Sequence, residues 1–318
     1  MDLDLRTRLL VRALQLTPGT DVPRLTPAQI ARERGRPLPR YGALGRLFGR
    51  IARGVAWSER QVPTRSGSVT VRVYRPVHAH GDLPVVVDFH GGGWVIGSPD
   101  RSAWRCSEVA AAAQVVVVSV DYRKAPHHPH PAAVEDCADA LAWVAGHAAE
   151  LGGRADRLAV MGDSSGGNLA AVVSLLARDA GGPALRHQVL IYPSVDATLS
   201  SRSADTKRDA PVLPRSHIET YLAHYLSGGS DPRDPLVSPL HAPDLTGLPE
   251  ALILTAEHDP LVDEGRAYAE RLVAAGVPVR LTEYVGMVHG FLIFPGAARS
   301  APQAVAEIAQ ELRRTLHA

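Results

Sequence analysis

The amino-acid sequence predicts an α/β protein built around a mostly parallel β-sheet. Apolar runs of strand length alternate with amphipathic segments of helix length from about residue 59 onward, the pattern of a doubly wound sheet. The chain has 318 residues, which is enough for one large domain with an appended part. Because no stretch of about eighteen apolar residues occurs, we expect no membrane-spanning helix and no membrane partner.

The elements divide the chain into two parts and an insertion. Residues 1–55 form a helical cap segment, in which Leu9, Leu10 and Leu14 predict a helix that packs on the lid. Residues 56–318 form the main α/β domain, and the polar, turn-rich residues 197–245 interrupt its rhythm as a lid insertion. We predict a hairpin near residues 61–74, strands at about 83–90, 115–122, 157–161, 188–192, 251–255 and 277–284, and helices at about 102–113, 134–151, 169–176, 218–226, 264–275 and 302–316.

Composition gives no reason to expect nucleic acid as a partner. Lys and Arg total 34 and Asp and Glu total 33, so the formal net charge is only +1. Seven arginines between residues 32 and 53 are opposed only by Glu33, and we interpret them as a solvated face because stacking aromatics are not interleaved with them. Cys106 and Cys137 show no disulfide or metal spacing, and the amino terminus does not read as a secretory signal, so we expect a cytoplasmic protein.

A serine lies between a predicted strand and a predicted helix, within the pattern G-x-S-x-G. The segment is Gly162-Asp163-Ser164-Ser165-Gly166. A strand that reverses this sharply into a helix needs very small flanking residues, and the turn exposes the serine hydroxyl. The sequence therefore predicts Ser164 as a nucleophile. We interpret the neighbouring Asp163 as structural because its side chain points away from Ser164 in such a turn.

A serine hydroxyl is a poor nucleophile at neutral pH and needs a base and a carboxylate behind that base. His289 follows the last predicted strand, where the order of elements requires the base. Asp259 follows the strand before it and is our predicted carboxylate. Glu257 and Asp263 are its rivals, but Pro260 enforces a turn directly after Asp259, whereas Asp263 reads as a helix start.

Three adjacent glycines follow an earlier strand in the segment His90-Gly91-Gly92-Gly93-Trp94. Glycines let backbone N–H groups point into a site without side chains in the way, as an oxyanion requires. We predict an oxyanion hole formed by Gly91, Gly92, Gly93 and the N–H of Ser165.

Together these motifs resemble the bacterial hormone-sensitive-lipase-like carboxylesterases, in the subgroup with Gly-Asp-Ser-x-Gly at the nucleophile. The resemblance covers about residues 60–295 and implies an α/β-hydrolase fold, short- to medium-chain acyl esters as substrates and no cofactor. It implies Ser164, Asp259 and His289 as catalytic residues and Gly92, Gly93 and Ser165 as oxyanion donors. It rests on His90 to Trp94, Asp121-Tyr122-Arg123, Gly162 to Asn168, Asp259-Pro260-Leu261, Asp263-Glu264-Gly265 and His289-Gly290-Phe291.

The chain departs from the family pattern at two places. Ser165 stands where alanine is common, which we expect to be mild because the donor is a backbone N–H. Tyr122-Arg123-Lys124-Ala125-Pro126-His127 replaces a segment that usually carries leucine and glutamate at the positions of Lys124 and His127. That replacement puts the packing behind the glycine loop in question.

Several alternatives stay open. The same residues serve amide or lactone hydrolysis or acyl transfer, and a non-catalytic receptor on this fold is a further candidate, disfavoured by the presence of His289. We predict no metal site, since His127, His128 and His130 do not converge readily. Trp94, Leu213 and Phe291 are the predicted pocket walls. The oligomeric state is open, with a homodimer as one alternative.

Overall fold

The computed structural model describes residues 3, 5–15, 23, 25–34, 38–39 and 42–318. Within them lie eight strands: β1 (Val55–Thr64), β2 (Gly67–Pro76), β3 (Leu83–Phe89), β4 (Val116–Asp121), β5 (Gly153–Asp163), β6 (Leu185–Ile191), β7 (Glu250–His258) and β8 (Val279–Val288). They form one sheet in the order β1-β2-β4-β3-β5-β6-β7-β8. Strand β2 is antiparallel to both of its neighbours, and every other pair is parallel. The predicted mostly parallel sheet is confirmed.

Ten α-helices lie in the described part of the chain. They are α1 (Leu5–Gln15), α2 (Pro27–Arg34), α3 (Gly42–Phe48), α4 (Pro99–Ala113), α5 (Ala132–Gly146), α6 (Ser165–Asp179), α7 (Arg202–Thr206), α8 (Arg215–Tyr225), α9 (Val262–Ala274) and α10 (Ala301–Leu316). The predicted helix at 134–151 is shorter than expected: it ends before His147, whose φ of −120° is not helical, and a 3₁₀ turn follows. No helix in these ranges is long and apolar enough to cross a membrane.

The sheet is covered on both faces, which explains its continuous apolar strands. All seven residues of β3 are buried. Because successive side chains of a strand point to opposite faces, Val85 and Val87 join the core beneath α5, α6 and α9, while Val86 joins the core beneath α4 and α10. Because β3, β5, β7 and β8 run parallel, their carboxyl ends lie at the same edge of the sheet.

The amino-terminal helices pack near this edge. Leu10 of α1 is buried with Phe294 and Ala297, in the segment after β8, and Val11 packs with Val288 and with Val212 of the insertion. Leu9, which we expected to pack on the lid, is instead 56% exposed. Two arginines of the expected basic face, Arg36 and Arg40, lie outside the described residues.

Candidate active site

Ser164 lies at the turn between β5 and α6 in a conformation that non-glycine residues rarely adopt. Its φ is 56° and its ψ is −120°, and such strain persists only where the surroundings enforce it. The enforcement comes from backbone contact: a Cβ atom on Gly162 would lie 2.1 Å from the carbonyl oxygen of Gly166, and one on Gly166 would lie 2.0 Å from that of Phe89. Both flanking positions therefore accept only glycine.

The structure brings Ser164, His289 and Asp259 together. The Nε2 atom of His289 lies 2.9 Å from the Ser164 Oγ, and its Nδ1 atom lies 2.6 Å from the Asp259 Oδ2. These distances fit an imidazole that donates its Nδ1–H to the carboxylate and accepts the serine hydroxyl at Nε2. The two rival carboxylates bond elsewhere: Glu257 accepts the N–H of Gly286, and Asp263 accepts that of Ser203.

Asp259 and His289 are held by their surroundings. Asp259 is fully buried, and its second oxygen accepts the N–H of Leu261 at 2.9 Å. The Tyr192 ring meets His289 edge-on, with ring centroids 4.8 Å apart, and Phe291 packs behind Tyr192 at 5.6 Å. Phe291 has no exposed surface. The prediction that it forms a pocket wall is therefore wrong, because the side chain supports the histidine from within the core.

The glycine loop presents free backbone donors next to the serine. Gly92 and Gly93 adopt φ values of 131° and 61°. Their N–H groups, and that of Ser165 at the start of α6, donate to no group within the described ranges. Gly91 differs from the prediction, since its N–H already donates to the Asp163 Oδ1 at 3.0 Å. Three of the four predicted donors are thus available to a ligand.

Beneath this loop lies a buried charge network that the sequence analysis did not find. Arg105 of α4 donates to Asp163 at 2.7 Å and to Asp88 of β3 at 2.7 Å, and all three side chains are almost completely buried. Neighbouring carboxylates hold the pKa of Arg105 well above its ordinary value despite burial. The structural role expected for Asp163 agrees with this geometry. The one signal in the sequence was Asp88, a carboxylate inside an apolar strand.

Lys124, the unusual residue behind the glycine loop, is buried and paired. Its Nζ donates to Asp121 at 2.5 Å and to the Tyr122 carbonyl oxygen at 2.7 Å. Burial lowers the pKa of Lys124, whereas hydrogen bonds and the nearby ammonium hold the pKa of Asp121 low against the effect of its own burial. Tyr122 in turn donates its hydroxyl to the His90 carbonyl oxygen at 2.7 Å. The replacement is therefore accommodated by a polar pair that backs the loop.

Two other predicted pocket walls also lie mostly inside the core. Trp94 is 3% exposed and stacks on Tyr225 of α8, with ring centroids 4.3 Å apart. Leu213 is 8% exposed and belongs to the same core. Tyr221 of the insertion also lies against the glycine loop, since a Cβ atom on Gly93 would lie 2.3 Å from its ring. No spacing of residues in the sequence indicates this contact.

Comparisons with known proteins match most of the chain to esterases and to the α/β-hydrolase fold. A family model described as the alpha/beta hydrolase fold matches residues 86–293. Carboxylesterase NlhH of Mycobacterium tuberculosis is 48% identical over 253 residues, which cover 79% of each chain. Esterase LipI of the same organism is 41% identical over 256 residues, covering 79% of this chain and 80% of the relative. The structure of a hyperthermophilic esterase from Pyrobaculum calidifontis aligns with a TM-score of 0.83 at 35% identity, over 99% of each chain.

We predict that Asp163→Ala lowers the free energy of unfolding by about 1–3 kcal/mol, because the Gly91 N–H and one side of Arg105 lose their acceptor. Asp163→Asn should cost less, since its amide oxygen still accepts. Urea unfolding followed by circular dichroism measures both. Asp156→Ala, which removes an exposed partner of Arg154, is the matched control and should leave the midpoint in place. An Asp163→Ala midpoint equal to that of the wild type would contradict the network.

We further predict that Asp121→Ala destabilises the protein more than Lys124→Met does, by about 1–2 kcal/mol. The first change strands a buried ammonium, whereas the second leaves a carboxylate that is 39% exposed to water. Because the stranded ammonium escapes its penalty by losing a proton, the deficit of Asp121→Ala should shrink as the pH rises. Unfolding free energies at pH 6, 8 and 9 test this, and an opposite ranking at pH 6 would refute it.

Proposed function

The chain belongs to the α/β-hydrolase fold family and is a carboxylic ester hydrolase, like its curated relatives, and we propose that it acts through an acyl-enzyme intermediate on Ser164. The single observation that supports this mechanism most is the hydrogen-bonded line from Asp259 through His289 to Ser164. The family membership confirms the resemblance seen in the sequence.

In the first half of the proposed reaction, the Nε2 atom of His289 takes the hydroxyl proton of Ser164 as its Oγ attacks the ester carbonyl carbon. Asp259 stabilises the imidazolium that forms, and its complete burial strengthens that interaction. When the tetrahedral intermediate collapses, the bond to the alcohol oxygen breaks and His289 returns the proton to that oxygen. The acyl group remains on Ser164.

The negative charge of the tetrahedral intermediate falls on the carbonyl oxygen. We assign its stabilisation to the N–H groups of Gly92, Gly93 and Ser165, which are free within the described chain. The amino terminus of α6 adds the favourable end of its helix dipole. One such donor elsewhere contributes about 2.7–4 kcal/mol to transition-state binding.

In the second half, a water molecule replaces the alcohol. His289 accepts a proton from the water as its oxygen attacks the acyl carbon, and then protonates Ser164 as the carboxylic acid leaves. No step needs a cofactor or a metal ion. The relatives named carboxylesterase and esterase support an ester as the substrate.

We assign substrate selection to residues 1–55 as a cap and to the insertion at 197–245. Helix α1 packs on Val288, next to His289, and α8 packs on the glycine loop. The described parts of both segments therefore border the groups that we propose to react. We also propose a cytoplasmic location, which the unpaired and buried Cys106 and Cys137 support.

We predict that Ser164→Ala lowers the turnover of p-nitrophenyl acetate by about 10⁴-fold or more, because the nucleophile is lost. The thermal unfolding midpoint should change little, since only a hydroxyl is removed. Ser165→Ala should retain most of the activity, because its proposed donor is a backbone N–H. The turnover of both variants is measured from the absorbance of the released p-nitrophenolate. Near-normal turnover in Ser164→Ala would rule out the mechanism.

We predict that activity across p-nitrophenyl esters peaks at short chains and falls steeply beyond about six to eight carbons. The reason is that the Tyr221 ring lies directly against the glycine loop, where a longer acyl chain would have to pass. The values of kcat/KM from acetate to palmitate measure it. A preference for the longest chains would contradict the assignment of short- to medium-chain substrates.

A further inference from the structure

Glu264 is a fully buried carboxyl group that the reaction scheme does not use. It lies in the first turn of α9 and is 0% exposed. One oxygen, Oε1, accepts the backbone N–H groups of Val195 at 2.7 Å and Asp196 at 3.3 Å. The other, Oε2, has no hydrogen-bond partner among the residues that the structure describes. Burying a carboxyl group with an unpaired oxygen costs free energy, so its presence here calls for an explanation.

The two N–H groups that Glu264 holds belong to the segment that supports Ser164. The N–H of Ser194, one residue earlier, donates to the carbonyl oxygen of Ser164 at 3.2 Å. On the amino side of the same residue, the N–H of Ser164 donates to the carbonyl oxygen of Ile191 at 2.8 Å. The segment 191–196 thus hydrogen-bonds to both the N–H and the carbonyl oxygen of the strained Ser164.

Glu264 also belongs to the element that positions Asp259. Helix α9 begins three residues after Asp259, and the N–H of Leu261 donates to the Asp259 Oδ1 at 2.9 Å. The N–H of Gly265, next to Glu264, closes the turn by donating to the carbonyl oxygen of Leu261 at 3.2 Å. The side chain of Glu264 therefore connects the turn that carries Asp259 to the segment 194–196, which contacts the backbone of Ser164.

The surroundings of Glu264 favour the protonated, uncharged form of its carboxyl group. Burial raises the pKa of Glu264 well above its ordinary value, and the nearby carboxylates of Asp196 and Asp259 raise it further. Asp196 is itself held by Thr198, Ser200 and His241. A neutral acid keeps its carbonyl oxygen as an acceptor and adds no second negative charge beside Asp259, so the support does not disturb the charge on which His289 depends.

We propose that Glu264 is a positioning residue that holds Ser164 in its reactive conformation through the segment 194–196. The proposal rests on the proposed role of Ser164. It does not make Glu264 a catalytic residue, because the carboxyl group acts on the serine only through the backbone. Its prediction is specific: removing the acceptor should slow the chemical step and leave substrate binding nearly unchanged.

The test compares Glu264→Gln, which keeps an acceptor oxygen, with Glu264→Leu, which has similar size and none. Glu270→Leu changes an exposed position on the same helix and serves as the matched control. For each variant, kcat and KM are measured with p-nitrophenyl acetate, and the fraction of reactive serine is titrated with a phosphonate ester. We expect Glu264→Leu to lower kcat per titrated site by about 10–100-fold, the scale of a misplacement of about 1 Å, with KM within about threefold. Glu264→Gln should stay within about threefold of wild type in both constants.

A folded Glu264→Leu variant with wild-type kcat would overturn the proposal, and so would Glu264→Gln losing as much as Glu264→Leu. If Glu264→Leu does not fold, Glu264→Asp provides the test, since it withdraws the carboxyl group by one methylene. A lower kcat at unchanged KM then supports the proposal, and a full kcat overturns it. Activity in Ser164→Ala would instead refute the nucleophile, so the two failures are distinguishable.

Discussion

The site depends on the contact of two backbones. The turn that carries Ser164 packs so tightly on the end of β3 that the Cα of Gly166 leaves no room for a Cβ against the carbonyl oxygen of Phe89. The glycine loop begins at the very next residues, so this contact fixes the distance between the serine and the N–H groups that we propose as oxyanion donors. Backbone atoms in van der Waals contact do not move independently. The strain at Ser164, of order 1–3 kcal/mol, is held by that packing and by hydrogen bonds on both of its backbone groups.

Three buried charged side chains lie beneath the same contact, and they connect secondary-structure elements to one another. Arg105 links α4 to the ends of β3 and β5 through Asp88 and Asp163. Asp163 extends the link to the glycine loop through the N–H of Gly91. Burying these ions is costly unless each is paired and hydrogen-bonded, and each of them is. Behind the glycine loop, Lys124 is likewise buried and paired with Asp121. Behind the serine, the buried carboxyl group of Glu264 acts differently, since it holds two backbone N–H groups without a charged partner in the described chain.

The sequence predicted the fold and the proximity of Ser164, Asp259 and His289, because both follow from local patterns in a fixed order. Alternating strands and helices imply a parallel sheet, and the ends of its strands meet at one edge, where Ser164, Asp259 and His289 then fall together. The supporting residues were not predictable in this way. Phe291 and Trp94 were expected at a pocket wall, but burial depends on which side chains pack from elsewhere, here Tyr192 and Tyr225. Arg105 gave no signal, because nothing in its helix shows that two distant carboxylates face it.

The insertion at 197–245 touches both halves of the reacting assembly. Through Tyr221 it covers Gly93 of the glycine loop. Through Ser203 of α7 it donates a side-chain hydrogen bond to the carbonyl oxygen of Pro260, next to Asp259, at 2.6 Å. A segment tied in this way is not a free lid, because a shift of the insertion also displaces Gly93 or the turn at Asp259 and Pro260. We therefore expect substrate range and catalytic rate to be coupled, because a displaced insertion would lose one or both of these two contacts.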